Sequence, residues 1–406
     1  MAQRVVIVGA GHAGGSAAAF LRQYGFEGPI ILIGEEALAP YQRPPLSKAW
    51  LKGEADGESL LLKPETFYAE SNIGLHRGVE VLGIDRAAKT VSLSDGEDVP
   101  YDALIIATGA RARPLPIPGA DLGGVLALRS TVDAQALKQA LTPGRILAVV
   151  GGGYVGLEAA ASARSIGCEV VVIEREARVL ARVAAAPLSA FFQSYHEGKG
   201  VRFELGASVA ALEGEGDVAA VRLADGRSIA CDIALIGVGA IPNDELAHAA
   251  GLVCHDGIIV DQDTHTSDPS IFAIGDVTRR PLAHYDRLFR LESVPNALEQ
   301  AKRAACAITG REQPAHEVPW FWSDQYDLKL QIAGLPFDVD ELVIRGDPKK
   351  AAFAIFHLCE GRVRAVEAVN APAEFMGGRL LIASGKVVDK ARLTDLSVPM
   401  KAVAAG

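Results

Sequence analysis

Cysteine is scarce in this chain of 406 residues, and its five cysteines stand apart. Cys168, Cys231, Cys254, Cys306 and Cys359 come no closer to one another than 23 positions. No Cys-x-x-Cys or Cys-x4-Cys occurs, so neither a local redox disulfide nor a ferredoxin-type cluster site is written here. Long apolar runs are also missing. Val5-Val6-Ile7-Val8 is interrupted by Gly9 and Gly11, far short of the ~20 residues that cross a bilayer. That run reads as a buried strand rather than a signal peptide. With reduced thiols the expected state of its cysteines, the chain is expected in the cytoplasm, away from membranes. Positive charge is in deficit, with a net charge of −10, which disfavours nucleic acid as a partner. The acidic excess belongs to residues 1–330, because residues 331–406 hold 10 Lys+Arg against 9 Asp+Glu. Histidines show no metal-ligand spacing and no Ser/His/Asp arrangement stands out, so no metal site or hydrolytic triad is expected.

Glycine, by contrast, is placed with purpose. Gly9-Ala10-Gly11-His12-Ala13-Gly14 follows the first apolar run, and Gly151-Gly152-Gly153-Tyr154-Val155-Gly156 follows Ile146 to Val150. Each loop reads strand, tight turn, helix. Each is followed by a second strand ending in an acid, Glu35 in one case and Glu174 in the other. A lone Gly-x-Gly-x-x-Gly also occurs as a turn without a ligand. Two of them, each in a strand–helix context with an acid at the right offset, point to dinucleotide binding. The first glycine permits the turn, and the second lets backbone approach a pyrophosphate. The helix start then supplies N–H groups and partial positive charge. A carboxylate at Glu174 suits the ribose hydroxyls of NAD and repels a 2′-phosphate, although Arg175 and Arg178 lie close in sequence. Two dinucleotide loops without a dithiol pair suggest electrons passed from one dinucleotide to the other, then outward.

Further marks follow along the chain. Pro40-Tyr-Gln-Arg-Pro-Pro-Leu-Ser-Lys48 is expected to be a stiff loop rather than a helix. Buried strands are expected at Leu104 to Ala107, which closes on Thr108-Gly109, and at Ala234 to Gly239. Ile271-Phe-Ala-Ile-Gly-Asp276 places an acid at a strand end, either as a helix cap or as an acceptor for cofactor hydroxyls. Alanines at helical spacing predict a helix over Val294 to Ile308. Beyond Pro319-Trp-Phe-Trp322 the short alternating runs predict a small α+β domain. Lys48 by itself reads as a surface lysine, and Trp320 and Trp322 as core aromatics.

Taken in order, these stretches carry a more specific likeness. The two glycine loops, the second with Glu158, are joined by Arg43-Pro-Pro-Leu-Ser-Lys48, Ala107-Thr-Gly109, Phe272-Ala-Ile-Gly-Asp276, Glu292-Ser-Val-Pro-Asn-Ala297 and Pro319-Trp-Phe-Trp-Ser-Asp-Gln325. The set resembles the FAD- and NADH-dependent ferredoxin reductases of bacterial oxygenase systems, over nearly the whole chain. That resemblance implies an α/β, glutathione-reductase-like fold: two Rossmann-type dinucleotide-binding domains plus a small C-terminal α+β domain. The implied FAD domain is discontinuous, residues 1–113 and 248–322, with an NAD domain at 114–247 and the C-terminal domain at 323–406. It further implies that Gly9, Gly11 and Gly14 face the FAD pyrophosphate and Glu35 the adenosine ribose. Arg43, Lys48, Val81, Thr108, Gly109 and Arg129 would contact FAD, Asp276 would bind the ribityl chain, and Val294 would lie at the ring edge. Gly151, Gly153, Gly156, Glu174, Gly237 and Gly239 would hold NADH. Glu158 would sit near the nicotinamide and pair with Lys48, and Trp322, or Trp320, would lie where electrons leave.

The implied activity is that of a ferredoxin–NAD(+) reductase, a flavoprotein oxidoreductase for electron transfer. NADH would pass a hydride to FAD, and single electrons would leave for a 2Fe–2S ferredoxin that feeds an oxygenase. A docking patch is expected among Lys302, Arg303, Lys386 and Lys390. Two other readings stay open: an NADH oxidase or a rubredoxin or nitrite-linked reductase on the same scaffold, and an NADH-sensing redox interaction protein.

Overall fold

Val5–Val8 is apolar and β-branched at every position and is fully buried, as a strand covered on both faces of a parallel sheet must be. In the computed structural model, which describes residues 3–405, it is the centre of a five-stranded parallel sheet. The strand order is Ile271–Ala273, Ala103–Ile106, Val5–Val8, Ile30–Gly34, Ile73–Arg77. The helix His12–Gln23 returns over this sheet. Its Ala17 and Ala18 are buried in the same core as Ala301, Ala304 and Ala305 of the helix Val294–Thr309. Methyl groups on both sides allow the two backbones to approach closely.

The plan recurs in a second parallel sheet. Ile146–Val150 is central there, between Glu169–Glu174 and Ile233–Ile236, with Val201–Leu205 and Val125–Leu126 at the edges. In both sheets the central strand feeds the glycine loop, one neighbour ends near an acid, and the other runs into the Thr108-Gly109 or Gly237-Val238-Gly239 turn. The duplication seen in the sequence is therefore a duplication of topology.

The C-terminal part, from Trp320, is antiparallel. Its order is Trp320–Gln325, Leu328–Gly334, Arg362–Val369, Ala352–Cys359, Glu341–Asp347, with the helix Pro372–Ser384 packed through Phe375 and Leu381 onto Phe356 and Val366. The expected α/β class with a C-terminal α+β part is thus what the chain adopts. One local expectation is corrected. Residues 40–48 are not purely loop, because Pro44–Ser47 forms a single 3-10 turn that leads into the short helix Ala49–Lys52. Proline suits the first position of such a turn, where its fixed φ is already helical and no N–H is needed.

The chain divides into two compact units. One ends its first segment at Arg43 and adds Gly57–Arg111 and Ala240–Glu317; the other comprises Pro44–Asp56, Ala112–Gly239 and the chain from Val318 onward. Residues expected as separate NAD and C-terminal domains thus fall in one unit. The physical reason is a common core: Leu328, Leu330, Ile332, Phe353 and Ile355 of the antiparallel sheet pack with Leu147, Val149, Leu157, Leu188 and Phe192. Among the described residues no helix is long and apolar enough to cross a membrane.

Phe353 is 1% exposed in that core and meets Phe191 edge-on at 4.9 Å between ring centroids. Phe353→Ala is expected to cost about 3–5 kcal/mol of stability in denaturant unfolding while the sheet and its Rossmann neighbour still melt together. Two separated transitions in the wild-type unit would contradict the common core.

Candidate active site

The first glycine loop is shaped by its neighbours. Gly9 has φ +108°, and a Cβ there would stand 2.3 Å from the Ala107 carbonyl oxygen. A Cβ on Gly14 would stand 1.9 Å from the Gly9 carbonyl oxygen, so the helix can close onto the turn only with glycine. Gly11 differs. A Cβ there would meet nothing within 4 Å, and the residue is the N-cap of His12–Gln23 without any side-chain cap. The open side of the loop is therefore a backbone concavity at a helix start, which fits a pyrophosphate. His12 leaves its Nδ1 buried without a partner. Burial lowers the His12 pKa, and the nearby Asp276 carboxylate opposes that shift, so Asp276 and the first turn of the helix share this site.

Two adjacent acids follow the strand Ile30–Gly34. Glu36 accepts from Tyr41 Oη and Arg43, both at 2.7 Å, whereas Glu35 is exposed. Arg43 therefore lies at the strand end, paired to Glu36. Thr108 and Gly109 turn next to the loop, and Thr108 is stitched to Asn243 by bonds of 2.7 and 2.9 Å. Val294 is the first residue of the helix Val294–Thr309. Gln300 reaches back from that helix to accept from Gly275 N–H at 2.8 Å, which fixes the turn bearing Asp276. Val81 begins the strand Val81–Asp85, buried in the core with Leu93 and Val99, and has backbone rather than side chain to offer a ligand.

The second loop repeats these contacts within its own unit. A Cβ on Gly151 would lie 2.3 Å from the Gly237 carbonyl oxygen, and one on Gly156 would lie 2.4 Å from that of Gly151. Gly153 has open space, like Gly11. Glu174 accepts from Gly152 N–H at 2.7 Å and from Glu176 N–H at 2.8 Å, so the acid is held against the loop, with lone pairs left for ribose hydroxyls. Arg178 is spent locally on the Ala184 and Ala181 carbonyls and Ser189. Arg175 is exposed beside Glu176. Gly237 and Gly239 lie in the turn that follows Ile233–Ile236, and Gly239 has φ +112°.

The same unit contains a charge pair whose acid is buried and whose lysine is half-buried. Glu158, 5% exposed on the helix Tyr154–Ile166, accepts from Lys48 Nζ at 2.7 Å and Ser47 Oγ at 2.6 Å through Oε2. Its Oε1 accepts from Ser323 Oγ at 2.6 Å. Lys48 also donates to the Pro44 carbonyl at 3.1 Å, so the ammonium is anchored by the 3-10 turn that precedes it. Trp322 sits half-buried on the strand Trp320–Gln325, its ring 5.7 Å from that of Trp320. Arg129 immediately precedes a capping box in which Ser130 and Asp133 bond reciprocally.

The residues thus gather as two cradles and one ion pair. The first unit holds Gly9, Gly11, Gly14, Glu35, Arg43, Val81, Thr108, Gly109, Asp276 and Val294; the second holds Lys48, Arg129, Gly151, Gly153, Gly156, Glu158, Glu174, Gly237, Gly239 and Trp322. One expectation is corrected. Arg303 is 3% exposed and bonded to the Gln262 and Pro314 carbonyls and to Asp263, so it offers no charge to a docking partner. Lys302 lies over the Phe20 ring, Lys390 pairs with Glu341 at 2.6 Å, and Lys386 is exposed. Ser47, Glu36 and Gln300 bond to expected site residues or to the turn beside one, and sequence reasoning missed them. Ser47 lies inside the Arg43-Pro-Pro-Leu-Ser-Lys48 stretch, but nothing marks Gln300 except its place on a helix.

All five cysteines are free thiols. Burial raises Cys231 and Cys254 to about 11, so neither is a thiolate at neutral pH. Among the described residues no group of three or more His, Cys, Asp or Glu could hold a metal ion.

A family model described as pyridine nucleotide-disulphide oxidoreductase matches residues 3–301, and one described as reductase C-terminal matches residues 320–404. A probable ferredoxin reductase CtmF of Castellaniella defragrans is 53% identical over 404 residues, 99% of each chain. The putidaredoxin reductase CamA of Pseudomonas putida is 42% identical, over 99% of this chain and 96% of the relative. The reductase in the crystal structure of the covalent putidaredoxin reductase–putidaredoxin complex aligns with a TM-score of 0.97 at 42% identity, over 99% of this chain and 98% of that one.

The open sides of Gly11 and Gly153 separate folding from ligand binding. Gly11→Ala should keep the wild-type far-UV circular dichroism yet retain little dinucleotide in the first cradle after purification. Gly153→Ala should leave that content unchanged and weaken the second dinucleotide by about ten-fold, or 1.4 kcal/mol, in titration. Full retention in both variants would show that the loops do not face phosphate.

Proposed function

We propose a function from the premise that the chain belongs to the pyridine nucleotide-disulphide oxidoreductase family and, within it, to the ferredoxin reductases of bacterial oxygenase systems. It carries FAD and uses a nicotinamide dinucleotide. It takes electrons from NADH and delivers them one at a time to a 2Fe–2S ferredoxin serving an oxygenase. One observation carries this reading: two glycine loops of like geometry occur in one chain whose five cysteines are free thiols, which favours transfer without a disulfide step. Bound FAD supplies the change from two-electron to one-electron chemistry that no side chain here can perform.

The roles assigned to the chain's own groups follow from their chemistry. Gly9, Gly11 and Gly14 hold the FAD pyrophosphate, with Glu35, Arg43, Val81, Thr108, Gly109, Arg129, Asp276 and Val294 around the rest of the cofactor. Gly151, Gly153, Gly156, Gly237 and Gly239 hold the nicotinamide dinucleotide. Lys48 supplies a fixed positive charge where negative charge accumulates on reduction, and Glu158 keeps its ammonium in place. Trp322 lies on the side from which electrons depart. Binding and alignment of the two partners give most of the rate, since no protein nucleophile is required. The ferredoxin docks beside Lys302, Lys386 or Lys390, without Arg303. A cytoplasmic location suits the five reduced thiols.

Preference for NADH over NADPH follows from Glu174 and from Arg178, whose guanidinium is committed to its own loop. Glu174→Gln keeps an acceptor for Gly152 N–H but loses the charge and the acceptor for Glu176 N–H. It should raise the KM for NADH about ten-fold and narrow the NADH/NADPH ratio of kcat/KM. An unchanged ratio would remove Glu174 from the ribose.

The activity itself is tested by NADH-driven reduction of purified acceptors. A 2Fe–2S ferredoxin should be reduced far faster than rubredoxin or oxygen. Transfer to rubredoxin or oxygen alone would replace this reading with a rubredoxin reductase or an NADH oxidase. A slow turnover paired with an NADH-dependent change in light scattering would replace it with a redox-sensing role.

A further inference from the structure

Pro319-Trp-Phe-Trp-Ser-Asp-Gln325 is the most distinctive stretch of the C-terminal part, and it carries polar groups as well as tryptophans. On the strand Trp320–Gln325 the residues alternate. Trp320, Trp322 and Asp324 are half-buried, whereas Ser323 and Gln325 are 0% and 1% exposed. Two polar side chains sealed on one face of a strand are costly unless each hydrogen-bonding group is met. Both are met, and by each other in series. Gln325 Nε2 donates to Ser323 Oγ at 3.1 Å, and Ser323 Oγ donates to Glu158 Oε1 at 2.6 Å. At the far end Gln325 Oε1 lies 2.7 Å from Nε2 of His196.

His196 belongs to the helix Ala186–Gly198 and is 0% exposed, with the rings of Tyr326 and Phe203 against it. Burial lowers its pKa, more than the Gln325 bond raises it, so the imidazole is neutral at pH 7 and carries one proton. The amide oxygen of Gln325 can only accept, which places that proton on Nε2. Every hydrogen in the chain then points the same way, from His196 through Gln325 and Ser323 to the Glu158 carboxylate.

We propose that His196 is a positioning residue for the Lys48–Glu158 pair, acting through Gln325 and Ser323. Oε2 of Glu158 is held by Lys48 and Ser47, and Oε1 by Ser323. The terminal torsion of a glutamate is broad and nearly two-fold, so donors on one oxygen leave the carboxylate free to swing. A donor on the second oxygen stops it, and that donor is itself aimed by Gln325 and His196. The chain orients and does not conduct. A side-chain amide sits in its middle, and an amide passes no proton onward at neutral pH. The significance for electron transfer rests on the proposed role of Lys48 beside the flavin; the positioning itself does not.

The test therefore reads the geometry and the reaction separately, on the flavin-loaded protein. Lys48 is labelled with an amine-acetylating reagent and its rate of modification followed by mass spectrometry, beside anaerobic stopped-flow reduction by NADH. Ser323→Ala and His196→Phe should each raise Lys48 labelling about three- to ten-fold, with no further increase in the double variant. His196→Gln, which restores a donor at the Nε2 position, should label like wild type. The limiting rate of flavin reduction should fall about ten-fold in the first two variants while the Kd for NADH changes less than about two-fold. Wild-type labelling in Ser323→Ala, or independent increases in the double variant, overturns the positioning chain. Increased labelling with unchanged reduction leaves the chain standing and removes Lys48 from the flavin chemistry instead. Should His196→Phe not fold, Ser323→Ala and His196→Gln decide the matter.

Discussion

Burying a carboxylate is costly unless positive charge and hydrogen bonds meet it, and Glu158, 5% exposed, is met by both. The network draws on three separate stretches of chain. Lys48 and Ser47 arrive on the turn Pro44–Ser47 and the residue after it, Ser323 arrives on the first strand of the C-terminal sheet, and Glu158 itself stands on the helix that opens the second cradle. Removing Lys48 would leave the Glu158 carboxylate buried without its counter-charge, a loss approaching the ~3–5 kcal/mol of a fully buried pair. With Ser323, this pair ties the segment Pro44–Asp56 and the strand Trp320–Gln325 onto one unit, beside the hydrophobic core they share with it.

The two cradles show how one supersecondary plan serves different partners. In both, glycine is required where a carbonyl oxygen presses within 2.4 Å of where a Cβ would be, and the loop has open space at Gly11 and Gly153, the side proposed for the phosphates. The difference lies in the acid beside each loop. Glu174 is tied back to Gly152 and Glu176, whereas Glu35 is exposed and its neighbour Glu36 takes the local bonds. A pre-ordered acid suits a dinucleotide that enters and leaves with every turnover, since little ordering is left to do on binding.

Much of this was legible in the sequence, because glycine spacing and buried β-branched runs report directly on backbone geometry. The strand–loop–helix units at Gly9 and Gly151, the helix from Val294 and the α+β character of the C-terminal part all follow from such patterns. The pairing of Lys48 with Glu158 came only through resemblance, since no periodic signal joins residues 110 positions apart. Arg303 shows the limit most plainly. As a letter it is a surface cation, but packing places it under Gln262 and Pro314 with its charge consumed. His196 was equally silent, and Gln325 stood in a distinctive stretch without a role, because a polar residue reveals its burial only when the strand and helix around it are assembled.

Direct passage of electrons between two bound dinucleotides, with no thiol step, is most simply measured by anaerobic titration of the purified protein with NADH, followed in the visible spectrum. Full bleaching of the flavin at about one equivalent of NADH per flavin, with the thiol count unchanged, is the predicted result. Uptake of about two equivalents, with new thiols appearing, would mean that a cysteine pair stands in the path and would contradict it.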